Sequence, residues 1–320
     1  MGESILTFLG DLNGDSWEDW CNRCYKIRYQ KEHYTVIPAV HGGDGGIEGF
    51  TTSGVVTQCY YPERQYSDDE LYEHMRNKMT RDVRKLTDTS YRNKLKDMGV
   101  PPIREWHFVI PENRDSRIIA HAETKRKEIQ KLKKEKPEQY DHIHKSFRIL
   151  IKTAEDYKIE LTTLCRNSLI TISLDKAIDR IEITDWSKCD SDKTKNIRRK
   201  VCAVRGGKFD KDAESLSNEF ILGYMEGLEI LNLMQIQIPE VYGDIMKLVH
   251  TNQKEVRMKT AMNTNRAMNY SLFVDQMDQF EKKLEKQCPY LAVDAILRLK
   301  HDIVCGWLAD CSMEFWGGET

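Results

Sequence analysis

The segment HGGDGGIEGFTTSGVVTQCYYPE, residues 41–63, places an acidic residue among glycines directly before a β-branched run. Glycine lets the backbone turn tightly and approach a ligand closely. The segment therefore predicts a turn that carries Asp44, followed by a strand over 54–61. Within that strand Gln58 and Tyr60 are two residues apart, so their side chains point to the same face. Asp44 taken alone is also typical of an ordinary turn, where Asp and Gly are favoured for local reasons.

Strand and helix patterns alternate on both sides of this segment. Acids at the start and cations near the end predict a helix over 14–29, and β-branched residues predict a strand over 34–40. Further helices and strands follow at 67–86, 103–111, 116–136 and 146–157. We therefore predict an α/β domain over residues 1–165. Its sheet should be mixed, because the connection 41–54 is too short for a crossover helix.

The second half of the chain has a different character. Residues 174–212 are charged and poorly periodic, which predicts a linker with a partly ordered strand. From Glu214 onward apolar residues recur at steps of three and four, as in amphipathic helices. We predict an all-α domain over residues 166–320. The segment 220–239 is apolar on more than one face, which favours burial against a partner chain, a second copy or a second helix layer.

Composition sets limits on the function. Of the 320 residues 31% are charged, and no apolar run approaches the roughly 18 residues that cross a bilayer. The acidic N-terminus lacks the basic region of a signal peptide. Nine cysteines at scattered spacings are typical of reduced thiols, so we expect a cytoplasmic protein with no membrane association. The net charge of -2 argues against a purely electrostatic nucleic-acid binder but leaves room for a local basic patch.

Oxygen-bearing side chains near the opening segment are candidates for a metal site. Mg²⁺ prefers oxygen ligands in near-octahedral geometry. Asp44 on the turn, Gln58 on the next strand and Glu18 on the preceding helix could supply such ligands for phosphodiester cleavage. Each has a simpler explanation as well: Glu18 is an acid favoured by the helix dipole, and Gln58 and Tyr60 are exposed strand positions.

The order WEDW, HGGDGGIEGF and TQCYY resembles the PD-(D/E)XK nucleases, particularly their Mrr-like restriction and phage-defence members. By that resemblance Glu18 matches the helix acid and Asp44 the metal-binding aspartate. Glu48 matches the second acid of the Asp-Gly-Gly-Ile-Asp run, and Gln58 matches the glutamine of Gln-x-Lys. The resemblance covers about half of the chain. It implies a restriction-endonuclease-like mixed sheet with flanking helices and an Mg²⁺ cofactor, with Mn²⁺ as a substitute.

One family residue is missing, because Tyr60 stands where the resemblance places a lysine. The family lysine is expected to orient the attacking water and to stabilise phosphate charge. A phenol with an ordinary pKa of about 10 is neutral at pH 7 and supplies no positive charge. Lys78, Arg76 and Arg81 lie on the following predicted helix, and one of them could reach the site instead. Otherwise the domain binds without cutting.

Basic residues follow the site in the segment 76–96, which carries a surplus of six cations. Arg76, Arg81, Arg84 and Lys85 are the candidates for DNA phosphate contacts, although a solvated helix face has the same composition. A second basic cluster at 193–200 is a candidate DNA-contacting loop.

The sequence thus predicts a metal-dependent DNA endonuclease that acts as an antiviral effector. Glu18, Asp44 and Gln58 would hold the metal, with Glu48, Tyr60 and Lys78 completing the catalytic set. Double-stranded DNA is the expected substrate, and the C-terminal helices would bind partner subunits or a second copy. The alternative is a non-catalytic DNA- or partner-binding subunit of a larger defence complex, which the missing lysine favours.

Overall fold

The computed structural model describes residues 5–38, 46–178 and 188–317. Clustering of contacts divides the chain into two compact units. One unit comprises Asp11–Leu164, and the other comprises Cys165 onward together with the N-terminal residues up to Gly10.

The first unit is built on a five-stranded sheet. Its strands are β1 (Thr35–Val36), β2 (Gly49–Phe50), β3 (Val55–Cys59), β4 (Ile103–Val109) and β5 (Ile143–Lys152), and they lie in this order across the sheet. The pairs β1–β2 and β2–β3 are antiparallel, whereas β3–β4 and β4–β5 are parallel. The prediction of a mixed sheet in an α/β unit is therefore confirmed. The parallel pairs are connected through helices, as parallel strands require.

Helices cover both faces of this sheet. They are α1 (Gly14–Arg28), α2 (Asp68–Thr87), α3 (Thr89–Asp97), α4 (Arg117–Glu135) and α5 (Lys158–Arg166). On one face α1 contacts the odd-numbered residues of β3 and β4: Tyr25 Oη is 2.7 Å from His107 Nδ1. On the other face the apolar stripes of α2 and α4 join Val56, Trp106 and Phe108 in one buried cluster. Gln58 is an even-numbered residue and belongs to the α2 face.

Local sequence signals account for the ends of the helices next to the sheet. Ser67 caps α2, and the Glu70 side chain reaches back to the Ser67 backbone N–H. Helix α1 also begins at a polar capping residue. Asn13 is the cap, and it exchanges hydrogen bonds with Ser16 in a capping box.

The sheet contains one strand that the sequence pattern did not predict. We expected four strands, with 34–40 and 54–61 as a hairpin-like pair. Instead β2, only two residues long, lies between β1 and β3 and pairs with both. Two residues are too few to display the alternation that identifies a strand.

The second unit is helical, as predicted. Its helices are α6 (Asp175–Ile178), α7 (Ser191–Val204), α8 (Lys211–Gln237), α9 (Pro239–Ala261), α10 (Asn269–Gln287) and α11 (Val293–Ala309). Buried apolar residues of α8 and α11 form the centre of its core, including Ile221, Ile230, Leu299 and Trp307. The prediction of a linker over 174–212 is wrong for its described residues, which include α6 and α7. Residues 179–187 of that segment lie outside the described residues.

The basic cluster 193–200 was predicted as a loop, but it lies within helix α7. Three of its cations have partners within the helical unit. Arg199 pairs with Glu314 at 2.9 Å, and Lys193 pairs with Asp310. Lys200 is fully buried and donates to backbone carbonyls at the end of α11, where a cation is favoured by the helix dipole.

Among the described residues no helix is both long enough and apolar enough to cross a membrane.

Candidate functional site

Glu48 and Gln58 form a buried polar pair where β2 meets β3. Glu48 directly precedes β2, and its backbone N–H donates to the Thr57 carbonyl oxygen of β3 at 2.7 Å. Gln58 Nε2 donates to Glu48 Oε1 at 2.5 Å. The backbone N–H of Cys59 donates to Glu48 Oε2 at 2.7 Å. Both carboxylate oxygens are therefore fixed by donors from β3.

Burial gives this carboxyl an unusual ionisation. Glu48 is 8% exposed, and desolvation raises its pKa to about 8. The negative charge of Glu18 on α1 raises the pKa further, while the charge of Lys78 and the hydrogen bond from the Cys59 N–H lower it. A pKa near neutrality in a carboxyl beside a second acid is a recognised mark of functional sites.

Gln58 provides a second indication of a ligand. Its side-chain carbonyl oxygen, Oε1, is buried and has no hydrogen-bond partner among the described residues. A buried acceptor left without a partner costs free energy, which a cation would recover. Amide and carboxylate oxygens are the ligand types that Mg²⁺ and Mn²⁺ select, so Glu48 and Gln58 fit a hard divalent cation.

The described residues do not contain a complete metal site. Within 5–38, 46–178 and 188–317 there is no group of three His, Cys, Asp or Glu residues that could hold an ion. Asp44, predicted as the central ligand, lies outside these ranges, so the structure does not place its carboxylate. The described part of the candidate set is the acid pair Glu18 and Glu48 with the amide of Gln58.

The simpler explanation for Glu18 was an acid favoured by the helix dipole, but Glu18 lies beyond the first turn of α1. Helix α1 begins at Gly14, and Asp15 is the acid of its first turn. Glu18 is the fifth helical residue, where the dipole effect has declined. After burial, the charge of Glu18 contributes to the raised pKa of the Glu48 carboxyl and of the Cys21 thiol on α1.

Tyr60 occupies the position of the missing lysine without replacing its charge. Its ring is stacked on Phe108 with centroids 6.2 Å apart and packs against the buried cluster. Burial raises the pKa of the phenol to about 12, so it remains protonated and neutral at pH 7. Tyr60 can donate a hydrogen bond near the site, but it supplies no cation.

Burial dominates the pKa of the Glu48 carboxyl, and Lys78 is the helix cation whose charge lowers it. Lys78 lies on α2, which packs on the Gln58 face of the sheet. Lys78 Nζ is also 2.6 Å from Asp82 Oδ2, one turn along the same helix. Of the three helix cations proposed as substitutes, Lys78 thus has the electrostatic link to the site.

The four residues predicted to contact DNA lie on α2 but do not form one stripe. Arg76 and Lys85 are nine residues apart, about 180° around the helix. Arg76 pairs with Glu73 and lowers the pKa of His121 on α4, so it belongs to the α4 side. Arg81 and Arg84 are exposed, and Lys85 is 3.5 Å from Asp82. Arg81 and Arg84 thus lie on the exposed side of α2, whereas Lys85 lies beside buried Asp82.

Sequence reasoning missed two residues that shape the site. Asp82 was not singled out in the sequence, yet it is fully buried and its Oδ2 lies 2.6 Å from Lys78 Nζ. The available signal was its position within the apolar series Leu71, Met75, Met79 and Leu86. Gly46 has φ of +83°, and a Cβ there would lie 2.5 Å from the Asp82 carbonyl oxygen.

With this geometry in hand, we compared the chain with known proteins. Neither protein families, nor curated proteins, nor solved structures gave a match.

Proposed function

We propose that this protein is an endonuclease that cleaves DNA with the help of Mg²⁺ or Mn²⁺. The observation that carries the proposal is the buried Glu48–Gln58 pair. It combines a carboxyl whose pKa is raised to about 8 with an amide oxygen that has no hydrogen-bond partner among the described residues. A buried carboxyl with a raised pKa and a buried amide oxygen without a donor are both expected at a site that binds a cation. The PD-(D/E)XK resemblance adds the reaction class, because it assigns these same positions to metal-dependent phosphodiester cleavage.

Four residues would hold the metal. Glu48 and Gln58 supply oxygens from the sheet, Glu18 supplies one from α1, and Asp44 supplies one from the preceding turn. The bound ion would polarise the scissile phosphate and lower the pKa of a bound water. Glu48 would release its proton when the cation binds, because a nearby positive charge favours the carboxylate.

The remaining residues would act on the phosphate. The Lys78 ammonium would stabilise negative charge that develops on it, the role of the missing lysine. Tyr60 would donate a hydrogen bond as a neutral phenol. Arg81, Arg84 and Lys85 would hold the DNA backbone, with Arg76 contributing on the other side of α2.

An antiviral role and assembly through the helical unit are further parts of the proposal. The antiviral role follows from the resemblance to phage-defence nucleases. Assembly is supported by large apolar residues that the helices leave exposed: Leu228 and Ile236 on α8 are 52% and 50% exposed, and Met258 and Met262 near the end of α9 are 61% and 76% exposed. Such surface is available to partner subunits or to a second copy.

A plasmid-cleavage assay tests the nuclease proposal. Wild-type protein is incubated with supercoiled DNA in Mg²⁺, in Mn²⁺ and in EDTA. We expect cleavage only with a divalent ion, and a loss on the order of 10²-fold in Glu48→Gln, Asp44→Ala and Lys78→Met. Glu18→Gln has a matched control in Asp19→Asn, which alters the adjacent carboxylate. Asp19 is 63% exposed and pairs with Arg23. Full activity of the Glu48→Gln and Asp44→Ala proteins, or cleavage in EDTA, would reject the proposal.

A DNA- or partner-binding subunit without catalytic activity is the second candidate. It is favoured by the neutral Tyr60 at the lysine position and by the pairing of Lys78 with Asp82. In that case DNA or partner binding would be equally tight in Mg²⁺ and EDTA, and no divalent ion would produce cleavage. Binding measured by fluorescence anisotropy under both conditions separates the two candidates.

A further inference from the structure

The last described segment of the chain, 312–317, lies where α7 ends, α9 ends and α10 begins. Asn269, which is fully buried at the start of α10, donates from its side-chain amide to the Trp316 carbonyl oxygen at 3.1 Å. The same amide donates to the Ala203 carbonyl oxygen of α7 at 3.0 Å. Thr260 Oγ1 of α9 accepts from a backbone N–H of the segment at 3.0 Å. These hydrogen bonds fix the segment against three helix ends.

Large apolar side chains lie around this segment and face solvent. Met268 and Tyr270 flank the buried Asn269, and Met262 directly follows α9. Each of these three residues, like Trp316, is 55–76% exposed. Single exposed apolar residues are ordinary, whereas a group of large ones marks an interaction site. We call Met262, Met268, Tyr270 and Trp316 the Trp316 surface.

A cavity of about 320 Å³ opens at the Trp316 surface. Trp316, Phe315 and Ala261 supply its apolar lining, and Arg199 and Glu314 supply its polar lining. Arg199 Nη2 and Glu314 Oε2 are 2.9 Å apart, so these two charges balance each other. The volume is at the lower end of the roughly 300–1,000 Å³ typical of ligand pockets. It can admit an anchoring side chain of a partner, as clefts lined by Trp and Arg do at protein interfaces.

The chain around the cavity is strongly basic. Eight lysines and arginines and only two acids occur in the segments that meet here, 199–208, 254–270 and 312–317. Both acids are already in ion pairs: Glu314 with Arg199 at 2.9 Å, and Glu255 with Lys259 at 2.6 Å. The surplus of positive charge is therefore not neutralised locally.

Three exposed cations lie next to the Trp316 surface. Arg266 Nη2 donates to the Gly317 carbonyl oxygen at 2.8 Å. Lys208 follows Gly207, where a Cβ would lie 3.3 Å from that same oxygen. Arg257 lies on α9, about one turn before a residue that lines the cavity. None of the three has an acidic side-chain partner among the described residues, so a negatively charged partner would complement them.

A second copy of this chain does not fit the Trp316 surface. In a two-fold dimer the same surface patch faces itself. Arg266, Lys208 and Arg257 of the two copies would then come together. Like charges placed opposite each other across an interface are strongly unfavourable, which disfavours self-association here.

The cavity favours a protein partner over a lipid surface or a nucleic acid. A bilayer is bound by protruding apolar and basic side chains, for which a cavity has no use. Nucleic-acid phosphates are bound by lysine and arginine, and exposed methionines add little to such contacts. A protein segment can use every feature, because methionine adapts to apolar partners and the cavity accepts an anchor.

We propose that the Trp316 surface binds an acidic segment of a partner protein, which inserts an apolar side chain into the cavity. Carboxylates of this segment pair with Arg266, Lys208 and Arg257, and its apolar residues cover the exposed methionines. The inference rests on the assembly proposed above for the helical unit, whose partner it describes by its chemistry. It does not depend on nuclease activity.

Selection of binders from a phage-displayed library of random short peptides, with the intact protein as bait, tests the proposal. We expect the selected peptides to be rich in Asp and Glu and to share an aromatic or large aliphatic residue. A synthetic copy of the most enriched peptide, labelled with fluorescein, is then titrated with protein and followed by fluorescence anisotropy. Its binding should weaken as NaCl is added, because salt screens exposed charges.

Two kinds of variant locate the bound peptide. Trp316→Ala should weaken peptide binding about 10-fold or more, as loss of an anchoring aromatic side chain does. The double variant Lys208→Glu/Arg257→Glu should weaken it to a similar extent, because it repels the acids of the peptide. Leu297→Ala on α11 and Lys286→Glu near the end of α10 are the matched controls and should bind as wild type does. All these side chains are exposed, so thermal unfolding should show an intact fold in each variant.

Several results would overturn the proposal. One is a selection that yields no acidic peptides, and another is equal peptide binding by wild type and Trp316→Ala. Analytical ultracentrifugation tests the second copy, because a wild-type dimer that Trp316→Ala dissociates would make this surface a contact between copies. Vesicles of phosphatidylcholine with phosphatidylserine, and oligo-dT, test the other occupants. Binding of either probe that depends on Trp316, without peptide binding, would assign the surface to lipid or to nucleic acid.

The plasmid-cleavage assay separates this proposal from the nuclease proposal. Trp316 belongs to the helical unit, so Trp316→Ala should cleave DNA as wild type does. A wild-type protein that never cleaves DNA would refute the nuclease proposal, and the peptide measurements would still decide the partner. Failure of the peptide selection would refute the partner proposal whatever the cleavage result.

Discussion

At the scale of single residues, Glu48 is the decisive side chain. The motif resemblance made it the secondary acid beside Asp44. The fold makes it the buried partner of Gln58, with both oxygens hydrogen-bonded and with acid and lysine charges acting on it. If the proposed cation site is correct, binding of the ion would displace the proton from this carboxyl.

The raised pKa of Glu48 predicts how stability depends on pH. The native pKa is about 8, against an ordinary value of 4.5. Between these values the native state holds a proton that the unfolded state has lost. The contribution of this group to the free energy of unfolding should therefore be fully present below pH 4.5 and be lost as pH rises toward 8, by up to about 1.4 kcal/mol per pH unit. Urea denaturation in EDTA at intervals from pH 5 to pH 9 measures this dependence.

Glu48→Gln provides the control for that titration. The variant should lose the component of the slope that belongs to this group, because glutamine does not titrate. Saturating Mg²⁺ should also restore stability near pH 8, since ion binding favours the ionised carboxyl. An identical slope in wild type and Glu48→Gln would show that another group causes it.

Gly46 is expected to tolerate no side chain. Its φ of +83° strains any L-residue, and a Cβ would meet the Asp82 carbonyl oxygen at 2.5 Å. Gly46→Ala should reduce the free energy of unfolding by roughly 2–4 kcal/mol. Gly99→Ala, with φ of +76° but open space around it, should cost roughly 1 kcal/mol. Equal costs for the two would exclude steric contact with α2 as the cause.

At the scale of elements, the helical unit depends on close approach of α8 and α11. A Cβ on Gly223 would lie 2.4 Å from His301 Cε1, and a Cβ on Gly227 would lie 2.7 Å from Asp302 Cβ. The two glycines are four residues apart and so share one face of α8. Small residues at this spacing let the helices pack closely.

Substitution of these glycines tests that packing. Gly227→Ala should destabilise the protein by roughly 1–3 kcal/mol through overpacking, despite the better helix propensity of alanine. Gly243→Ala within α9 is the matched control, because nothing lies within 4 Å of its Cβ position. It should stabilise the protein by up to about 1 kcal/mol. Thermal unfolding of both variants measures the difference, and stabilisation by Gly227→Ala would contradict the close approach.

At the scale of the whole molecule, all the described candidate site residues belong to one unit. Asp11–Leu164 contains the five strands and Glu18, Glu48, Gln58 and Lys78, and α5 continues to Arg166. We expect a fragment of residues 11–166 to unfold cooperatively in circular dichroism and to retain the pH dependence assigned to Glu48. A fragment without cooperative unfolding would show that the α/β unit is not autonomous.

The sequence by itself determined the class of each half. Strong periodicity and capping residues such as Ser67 are local signals, and local signals suffice to predict helices, longer strands and the mixed sheet. They also drew attention to the segment 41–63. They could not reveal β2, which exists only because β1 and β3 offer hydrogen bonds to two residues.

Only the tertiary structure decided which side chains meet. The pairing of Glu48 with Gln58 depends on strand register, and the approach of Lys78 depends on how α2 packs on the sheet. Asp82 resembled an ordinary surface charge in the sequence, because burial is a property of the packed chain and not of the residue. The pKa of Glu48 likewise arises from desolvation and neighbouring charges, which only the folded chain creates.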